Sequence, residues 1–162
     1  MLSAKALRAT YVLPLRRDRS DASDDAELAA YLAGLSPHLE LIVVDASPEP
    51  LYSTHTQLWA DTVKQIPPAP ELRCANGKVW GVLTGLAAAS QEALVIADED
   101  VRYELPQLRR LIGALAEADV VRPQNYFSPL PWHARWDTAR SLINRATGGD
   151  WPGTLAVRRS RL

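Results

Sequence analysis

Residues 92–100 read EALVIADED, an apolar run that leads directly into three consecutive acidic residues. A run of this length, rich in β-branched residues, is typical of a strand that is covered on both faces of a sheet. The three carboxylates cannot share that core, because burying unpaired charge is costly. We therefore expect them at the C-terminal end of the strand, facing solvent, a cation or a cationic partner.

Two of these acids, Asp98 and Asp100, are spaced so that both could turn toward one hard divalent cation. Such an ion would keep coordination positions open for water or phosphate oxygens. The arrangement suits a site for a nucleotide diphosphate. Acids after a strand also solvate turns or cap the next helix, and the motif alone leaves both interpretations open.

The composition describes an ordinary soluble domain of 162 residues, with a formal net charge of −1 and a pI near 6.3. This length suits one domain, 1–162, and the charge balance gives no indication of nucleic-acid or anionic-membrane binding. Cys74 is the only cysteine, which excludes an internal disulfide and a thiolate metal cluster. The sequence shows no signal peptide and no transmembrane stretch, and it predicts a cytoplasmic protein.

Strand-like and helix-like segments alternate along the chain, which predicts an α/β fold. Asp24 is the expected N-cap of the first helix, with Glu27 at the reciprocal position of a capping box. After Asn76, an apolar repeat at helical spacing predicts a helix that leads into the acidic strand. The predicted strands are 10–15, 39–44, 71–74, 92–97, 119–122 and 154–158, and the predicted helices are 24–35, 55–64, 77–90, 106–115 and 132–143.

A second strand, 39–44, also ends in an acid, Asp45. Ligands of open α/β sheets bind beyond the C-terminal ends of parallel strands, which is where both acidic positions are expected. Asp45 is predicted to accept a hydrogen bond from a base or ribose while Asp98 and Asp100 hold the metal. As an alternative, Asp45 caps a turn together with Ser47.

Lys78 opens a predicted helix after Asn76 and Gly77, where the helix N-terminus favours anions. It could direct its charge at a phosphate, or it could simply be solvated. The chain has no Walker-type loop and no G-x-G-x-x-G motif, which argues against P-loop enzymes and dinucleotide-binding oxidoreductases. The three histidines have no metal-ligand spacing. They are His38, His55 and His133.

Near the end of the chain, residues 148–153 read GGDWPG and surround one acid, Asp150, with turn formers. Asp150 is the candidate general base there, although a tight connection with Trp151 at the sheet edge explains the same residues. The stretch 131–136, PWHARW, could line an acceptor pocket around His133 or form a plain amphipathic helix.

Five ordered segments resemble the family 2 glycosyltransferases of the GT-A fold. The resemblance spans nearly the whole chain, and its weight comes from the order and strand context of the motifs. The segments are 11–14, 41–47, 76–78 with Gly85 one helix later, 96–100 and 153–159.

The resemblance implies a GT-A-like, Rossmann-like three-layer sandwich with a mostly parallel central sheet. It implies transfer of a sugar from a nucleotide-diphosphate donor to a hydroxyl of a sugar or lipid-linked acceptor, with inversion. It further implies Mg²⁺ or Mn²⁺ on Asp98 and Asp100 as the metal ligands, and a cytoplasmic site that an acceptor could bring to the inner face of a membrane. The donor-binding residues that it implies are Pro14, Asp45, Ser47, Lys78, Asp98 and Glu99.

Two features depart from the family pattern. Ala46-Ser47-Pro48 stands where the family has a glycine-rich acidic turn, and the chain stops at Leu162, before the family's usual base. We therefore expect an amino-terminal part that lacks the carboxy-terminal acceptor half. In the alternatives, Asp150 is the base or the domain binds without catalysis. A nucleotidyltransferase is the rival enzyme, although Arg16–Arg19 has its charge without its glycines. The sequence leaves the oligomeric state open, a homo-oligomer included.

Overall fold

The computed structural model describes residues 6–123 and 154–162, which form strands and helices in alternation. The described residues also include two short 3₁₀ helices, Pro70–Leu72 and Arg159–Arg161. The strands are β1 (Ala9–Leu15), β2 (Glu40–Asp45), β3 (Lys64–Ile66), β4 (Ala93–Ile96), β5 (Val120–Val121) and β6 (Leu155–Arg158). The α-helices are α1 (Ala22–Leu35), α2 (Leu51–Trp59), α3 (Gly77–Ala88) and α4 (Leu105–Ala114).

The six strands form one sheet in the order β3-β2-β1-β4-β6-β5. The four strands β3, β2, β1 and β4 run parallel, whereas β6 is antiparallel to both β4 and β5. Val12 of β1 pairs with Ile42 on one side and with Ile96 on the other, so the predicted acidic strand lies next to the centre of the sheet. The prediction of a mostly parallel α/β sheet is confirmed.

Helices cover both faces of the sheet, which makes the three layers that were expected. One face carries Tyr11, Leu13 and Val43, and packs against the leucines of α1 and α4 and against Trp59 of α2. The opposite face carries the alternate residues of the same strands and packs against α3. Because the central strands are buried on both sides, they read as continuous apolar runs.

Helix α3 approaches the sheet through small residues. Its buried positions are Gly81, Thr84 and Gly85, whereas Val79 and Leu83 are 46% and 40% exposed. The apolar repeat therefore predicts the helix correctly but marks its buried face only in part, since Val82 and Leu86 pack against the sheet. A missing Cβ lets two backbones approach closely, which is how α3 lies directly on β1 and β2 at Gly81 and Gly85.

Three local predictions were wrong. Asp21, and not Asp24, is the N-cap of α1, and its side chain accepts hydrogen bonds from the N–H groups of Ser23 and Asp24. Helix α2 occupies Leu51–Trp59 instead of 55–64, since the chain turns into β3 at Lys64. The segment predicted as strand 71–74 begins as a 3₁₀ helix, because β3 already takes that edge of the sheet.

The remaining predicted elements within the described residues are confirmed to within a few residues at each end. Pro106 lies in the first turn of α4, where its missing N–H costs nothing. The predicted helix 132–143 lies outside the described residues. Among the residues that are described, no helix is both long and apolar enough to cross a membrane.

Candidate functional site

The C-terminal ends of three parallel strands meet at one edge of the sheet. Leu15 pairs with Asp45 in register, and the N–H of Ala46 donates to the Leu15 carbonyl at 2.8 Å. β4 ends beside them, because the N–H of Ala97 donates to the Val12 carbonyl at 3.1 Å. The residues that follow β1, β2 and β4 therefore form a single rim, as parallel strand ends do in open α/β sheets.

Helix α3 begins at this rim. Asn76 is its N-cap, and the Asn76 side-chain oxygen accepts hydrogen bonds from the N–H groups of Lys78 at 3.0 Å and Val79 at 3.1 Å. A Cβ added to Gly81 would lie 2.9 Å from the Pro14 Cβ, so the first turns of the helix rest on the end of β1. This contact places Lys78 and the positive end of the helix at the strand ends.

Lys78 and Asp98 form an ion pair across the rim, between the ammonium Nζ and the carboxylate Oδ1. The Lys78 side chain is 46% exposed and that of Asp98 is 29% exposed. A pair with this much exposure contributes at most about 1 kcal/mol, since solvent screens both charges. Either partner can therefore exchange the other for a stronger ligand at small cost.

The three acids after β4 lie in different surroundings. The N–H of Val101 donates to the Asp98 carbonyl at 3.1 Å, which closes a turn over the acidic motif. Glu99 accepts a hydrogen bond from Arg17 Nε at 3.3 Å, and Asp100 is exposed. Only the middle acid is therefore tied to the body of the domain through an arginine.

Two carboxylates at the rim could hold a hard divalent cation only if a bound ligand shared its coordination. Asp98 and Asp100 supply carboxylate oxygens at the end of β4, which suit Mg²⁺ or Mn²⁺. Within residues 6–123 and 154–162, no group of three or more His, Cys, Asp or Glu side chains is arranged to hold a metal. An ion at this rim would thus need further oxygens from a diphosphate or from water, as Mg²⁺ commonly does.

Asp45 has no exposed side-chain surface. Its Oδ1 accepts from the Ser47 N–H at 2.9 Å, and its Oδ2 accepts from His55 Nδ1 at 2.7 Å and from Gln65 Nε2 at 2.9 Å. The hydrogen bond to Ser47 is the turn cap that was the alternative interpretation. A nucleoside could reach the carboxylate only if one of these partners moved.

Asp45 belongs to a circuit of five residues that we call the polar ring, in which Ser47 and Arg17 also contribute their backbone N–H groups. Each member contacts the next, and the five come from β2, the loops after β1 and β2, and helices α1 and α2. The contacts are Asp45 with Ser47, Ser47 with the Arg17 N–H, Arg17 with Asp25, Asp25 with His55, and His55 with Asp45.

Sequence reasoning missed three members of this ring. Arg17 lay in a polar loop, Asp25 in the first turn of a helix, and His55 had no metal-ligand spacing. One signal was present for His55, because it shares a helical face with the buried residues Leu51 and Trp59. An arginine and a carboxylate eight residues apart across a loop carry no comparable periodicity.

Residues 98–101 form the turn that follows β4, which we call the acidic turn. Two tyrosines support its end. The Tyr103 N–H donates to the Tyr31 hydroxyl at 2.9 Å, which attaches the residues after Asp98 to helix α1. Burial raises the pKa of Tyr103 above its ordinary value, and the neighbouring Tyr31 and Asp98 raise that pKa further. Burial likewise raises the pKa of Tyr11, which lies against Tyr31. Tyr11 and Tyr103 therefore remain neutral phenols and offer no general base.

Two sequence candidates, Asp150 and His133, lie outside the described residues, as does the aromatic stretch around His133. The structure brings together Pro14, Ser47 and Lys78 with the acids that follow β4. Asp45 reaches the same rim through its backbone, while its side chain faces the interior.

The fold of the chain is similar to that of solved structures. Glucosyl-3-phosphoglycerate synthase from Mycobacterium tuberculosis, in complex with Mn²⁺, UDP-glucose and phosphoglyceric acid, is 20% identical, with a TM-score of 0.62. The same enzyme with Mg²⁺ and UDP is 22% identical, with a TM-score of 0.61. In both comparisons, the match covers 97% of this chain and 57% of the enzyme. A mycobacterial protein is 22% identical over 97% of this chain and 54% of its own, with a TM-score of 0.62.

The chain has the GT-A fold. TM-scores of 0.61 and 0.62 over 97% of the chain establish this architecture, whereas identities of 22% and 20% leave substrate and reaction open. The chain spans a little over half the length of these solved structures. No protein-family model and no curated protein sequence matches it.

Proposed function

We propose that this GT-A domain binds a nucleotide-diphosphate sugar with Mg²⁺ or Mn²⁺ and belongs to a family 2-like glycosyltransferase. The observation that carries the proposal is the rim itself. Lys78 and Asp98 meet where three parallel strands end, in a fold whose solved neighbours include complexes with Mg²⁺ and UDP and with Mn²⁺ and UDP-glucose. An ammonium beside a metal-binding carboxylate matches the two kinds of charge that a metal diphosphate presents.

Each rim residue has a place in this proposal. Asp98 and Asp100 hold the cation, and Lys78 leaves Asp98 to contact the diphosphate. Pro14 and Ser47 line the nucleoside side, and Glu99 holds the acidic turn through Arg17. When bound, the cation would stabilise the negative charge that develops on the leaving nucleotide diphosphate.

We extend the proposal to the reaction and its setting. An acceptor hydroxyl of a sugar or lipid-linked sugar attacks the anomeric carbon with inversion, and a carboxylate base takes the hydroxyl proton. Asp150 is the base that we propose from within this chain. The site is cytoplasmic, and the acceptor would bring it to the inner face of a membrane.

Titration calorimetry of UDP with and without Mn²⁺ tests the donor site. We expect binding only with Mn²⁺, and we expect Asp98→Ala or Asp100→Ala to weaken it at least about tenfold, since each removes a charged metal ligand. Glu99→Ala should weaken it far less. Equal losses in all three variants, or binding that ignores the metal, would contradict the proposed coordination.

The base has a separate test. Release of UDP from UDP-glucose by slow hydrolysis reports turnover when the acceptor is unknown. An Asp150→Asn variant should bind UDP as the parent does and lose at least about a hundredfold in turnover, the usual contribution of a general base. Full turnover in this variant would remove Asp150 from the reaction.

A further inference from the structure

We propose that Asp45 and His55 are positioning residues, which act through the polar ring on the acidic turn and do not touch the donor. The inference rests on the proposed function for its ligand, a metal diphosphate. It replaces the expected direct contact of Asp45 with a nucleoside by a mechanical link from the end of β2 to the end of β4.

Burial of the ring is the first argument. A carboxylate with two oxygens offers about four acceptor positions, and three of those on Asp45 are already used. His55 is fully buried and stacks on Trp59 with ring centroids 4.7 Å apart and an interplanar angle of 18°. Neither side chain is exposed to a ligand, yet the Asp45 carboxylate and the His55 imidazole are each held in one orientation.

The second argument is the closure of the ring. Ser47 Oγ accepts the Arg17 N–H at 2.9 Å, and the Arg17 guanidinium forms an ion pair with Asp25. Asp25 Oδ1 lies 3.6 Å from His55 Nε2, which makes no hydrogen bond of its own. Arg17 is thus held from two sides, by its backbone toward β2 and by its side chain toward α1.

The third argument is the contact between the polar ring and the acidic turn. Arg17 Nε donates to the Glu99 carboxylate at 3.3 Å, so the middle acid of the turn is attached to a ring residue 82 positions away in sequence. Arg17 is only 13% exposed, whereas the Glu99 carboxylate is 45% exposed. The ring therefore fixes the arginine, and the arginine restrains the turn that carries Asp98.

Two substitutions at one buried position test the link. His55→Leu removes the donor to Asp45, while His55→Asn keeps an N–H donor near the position of Nδ1. Trp59→Phe is the matched control, because it changes the same helix and the same stacking contact but leaves every polar group of the ring in place. Thermal melts of all three verify that each variant is folded at the temperature of the measurements.

Hydrogen exchange at the Val101 amide, in the protein without ligand, measures how often the hydrogen bond that closes the acidic turn opens. We expect exchange about fivefold faster in His55→Leu, which corresponds to the loss of one partly exposed restraint. His55→Asn should recover most of the protection, and Trp59→Phe should leave it unchanged. Unchanged exchange in His55→Leu, or equal effects of His55→Leu and Trp59→Phe, would overturn the proposal.

Binding of pyrophosphate and of UDP, each with Mn²⁺, separates positioning from direct contact. If the ring positions the turn, then His55→Leu weakens both ligands by the same factor of about five. If Asp45 contacts a nucleoside instead, UDP weakens while pyrophosphate does not, and the proposal is wrong. If the parent protein binds neither ligand, the donor function fails, and the Val101 exchange still decides whether the ring holds the turn.

Discussion

The ammonium of Lys78 lies on the carboxylate of Asp98, and this ion pair joins the N-terminus of α3 to the end of β4. The two residues come from different elements and meet only because three strands end at one rim. The pair also occupies the carboxylate that a divalent cation would use. In the proposed metal site, cation binding and the position of Lys78 would therefore be linked, since a cation and an ammonium compete for the same oxygens.

Substitution of Lys78 separates the two ligands of the site. In Lys78→Gln, Mn²⁺ alone should bind about threefold to tenfold more tightly, because a competing positive charge is gone. UDP in the presence of Mn²⁺ should bind more weakly by a similar factor, because the diphosphate loses a cation. Calorimetric titrations with each ligand measure both effects.

The control for this prediction is Lys64→Gln, which removes the same charge from β3, where Lys64 donates to the Ala88 carbonyl. It should change neither affinity. Tighter binding of both ligands in Lys78→Gln, or no change with Mn²⁺ alone, would show that Lys78 does not compete for Asp98.

Gly85 tests the close approach of α3 to the sheet. A Cβ there would overlap with Val12 Cγ1 and lie 3.2 Å from Val44 Cγ2. Gly85→Ala should therefore lower the free energy of unfolding by about 1–3 kcal/mol, the usual cost of overpacking. Urea unfolding with a constant m-value is the measurement.

Gly113 in α4 is the matched control, because an added Cβ there meets nothing within 4 Å. Gly113→Ala should raise the free energy of unfolding by about 0.5–1 kcal/mol through helix propensity. If both substitutions stabilise the protein, the glycine contact of α3 is not a packing constraint.

Asp21 should contribute to stability as the N-cap of α1. Asp21→Ala should cost about 1 kcal/mol, because the N–H groups of Ser23 and Asp24 lose their acceptor. Asp21→Ser should restore most of that loss. Asp24→Ala should cost no more than about 0.5 kcal/mol, since Asp24 contributes only its charge to the first turn. A larger loss at Asp24 than at Asp21 would return the cap to the residue first expected from the sequence.

Glu40 predicts a pH dependence of stability. Partial burial acts to raise its pKa, but hydrogen bonds from the Thr10 hydroxyl and from the backbone and side chain of Ser90 outweigh it and lower the pKa. A carboxylate whose folded pKa is lowered stabilises the fold above its unfolded pKa, and this contribution is lost as pH falls through the folded value.

The measurement compares the parent with Glu40→Gln in urea between about pH 7 and about pH 3. We expect the parent to be more stable at neutral pH by no more than about 1 kcal/mol, since the carboxylate is only partly buried and solvent still screens its charge. The difference should shrink on acidification. If the difference in the free energy of unfolding stays constant or grows toward low pH, the Glu40 carboxylate charge does not stabilise the fold.

Much of the architecture could be predicted because its signals are local. The apolar runs of β1, β2 and β4 and the apolar stripe of α4 identify their elements without knowledge of any neighbour. β3 was missed because three partly exposed residues are too short to show a period. The cap of α1 was misplaced because Asp21 and Asp24 are equally good caps in sequence and only the path of the loop selects one.

The candidate site divides in the same way. Its acids and its lysine were predicted at their own strand and helix ends, since buried strands cannot carry those charges. Their pairing was not predicted, and neither was the polar ring, because both depend on contacts between elements far apart in the chain. The direction of the Asp45 side chain likewise had no signature in sequence.

The amino-acid sequence by itself determined the alternation of strands and helices and the place of the charged residues at the element ends, because hydrophobic periodicity and the cost of burying charge act locally. The tertiary structure alone decided that α3 packs through glycines, that Lys78 meets Asp98, and that Asp45 turns inward to His55. The physical reason is that these contacts depend on how closely two backbones approach, and that distance is set only when the layers pack together.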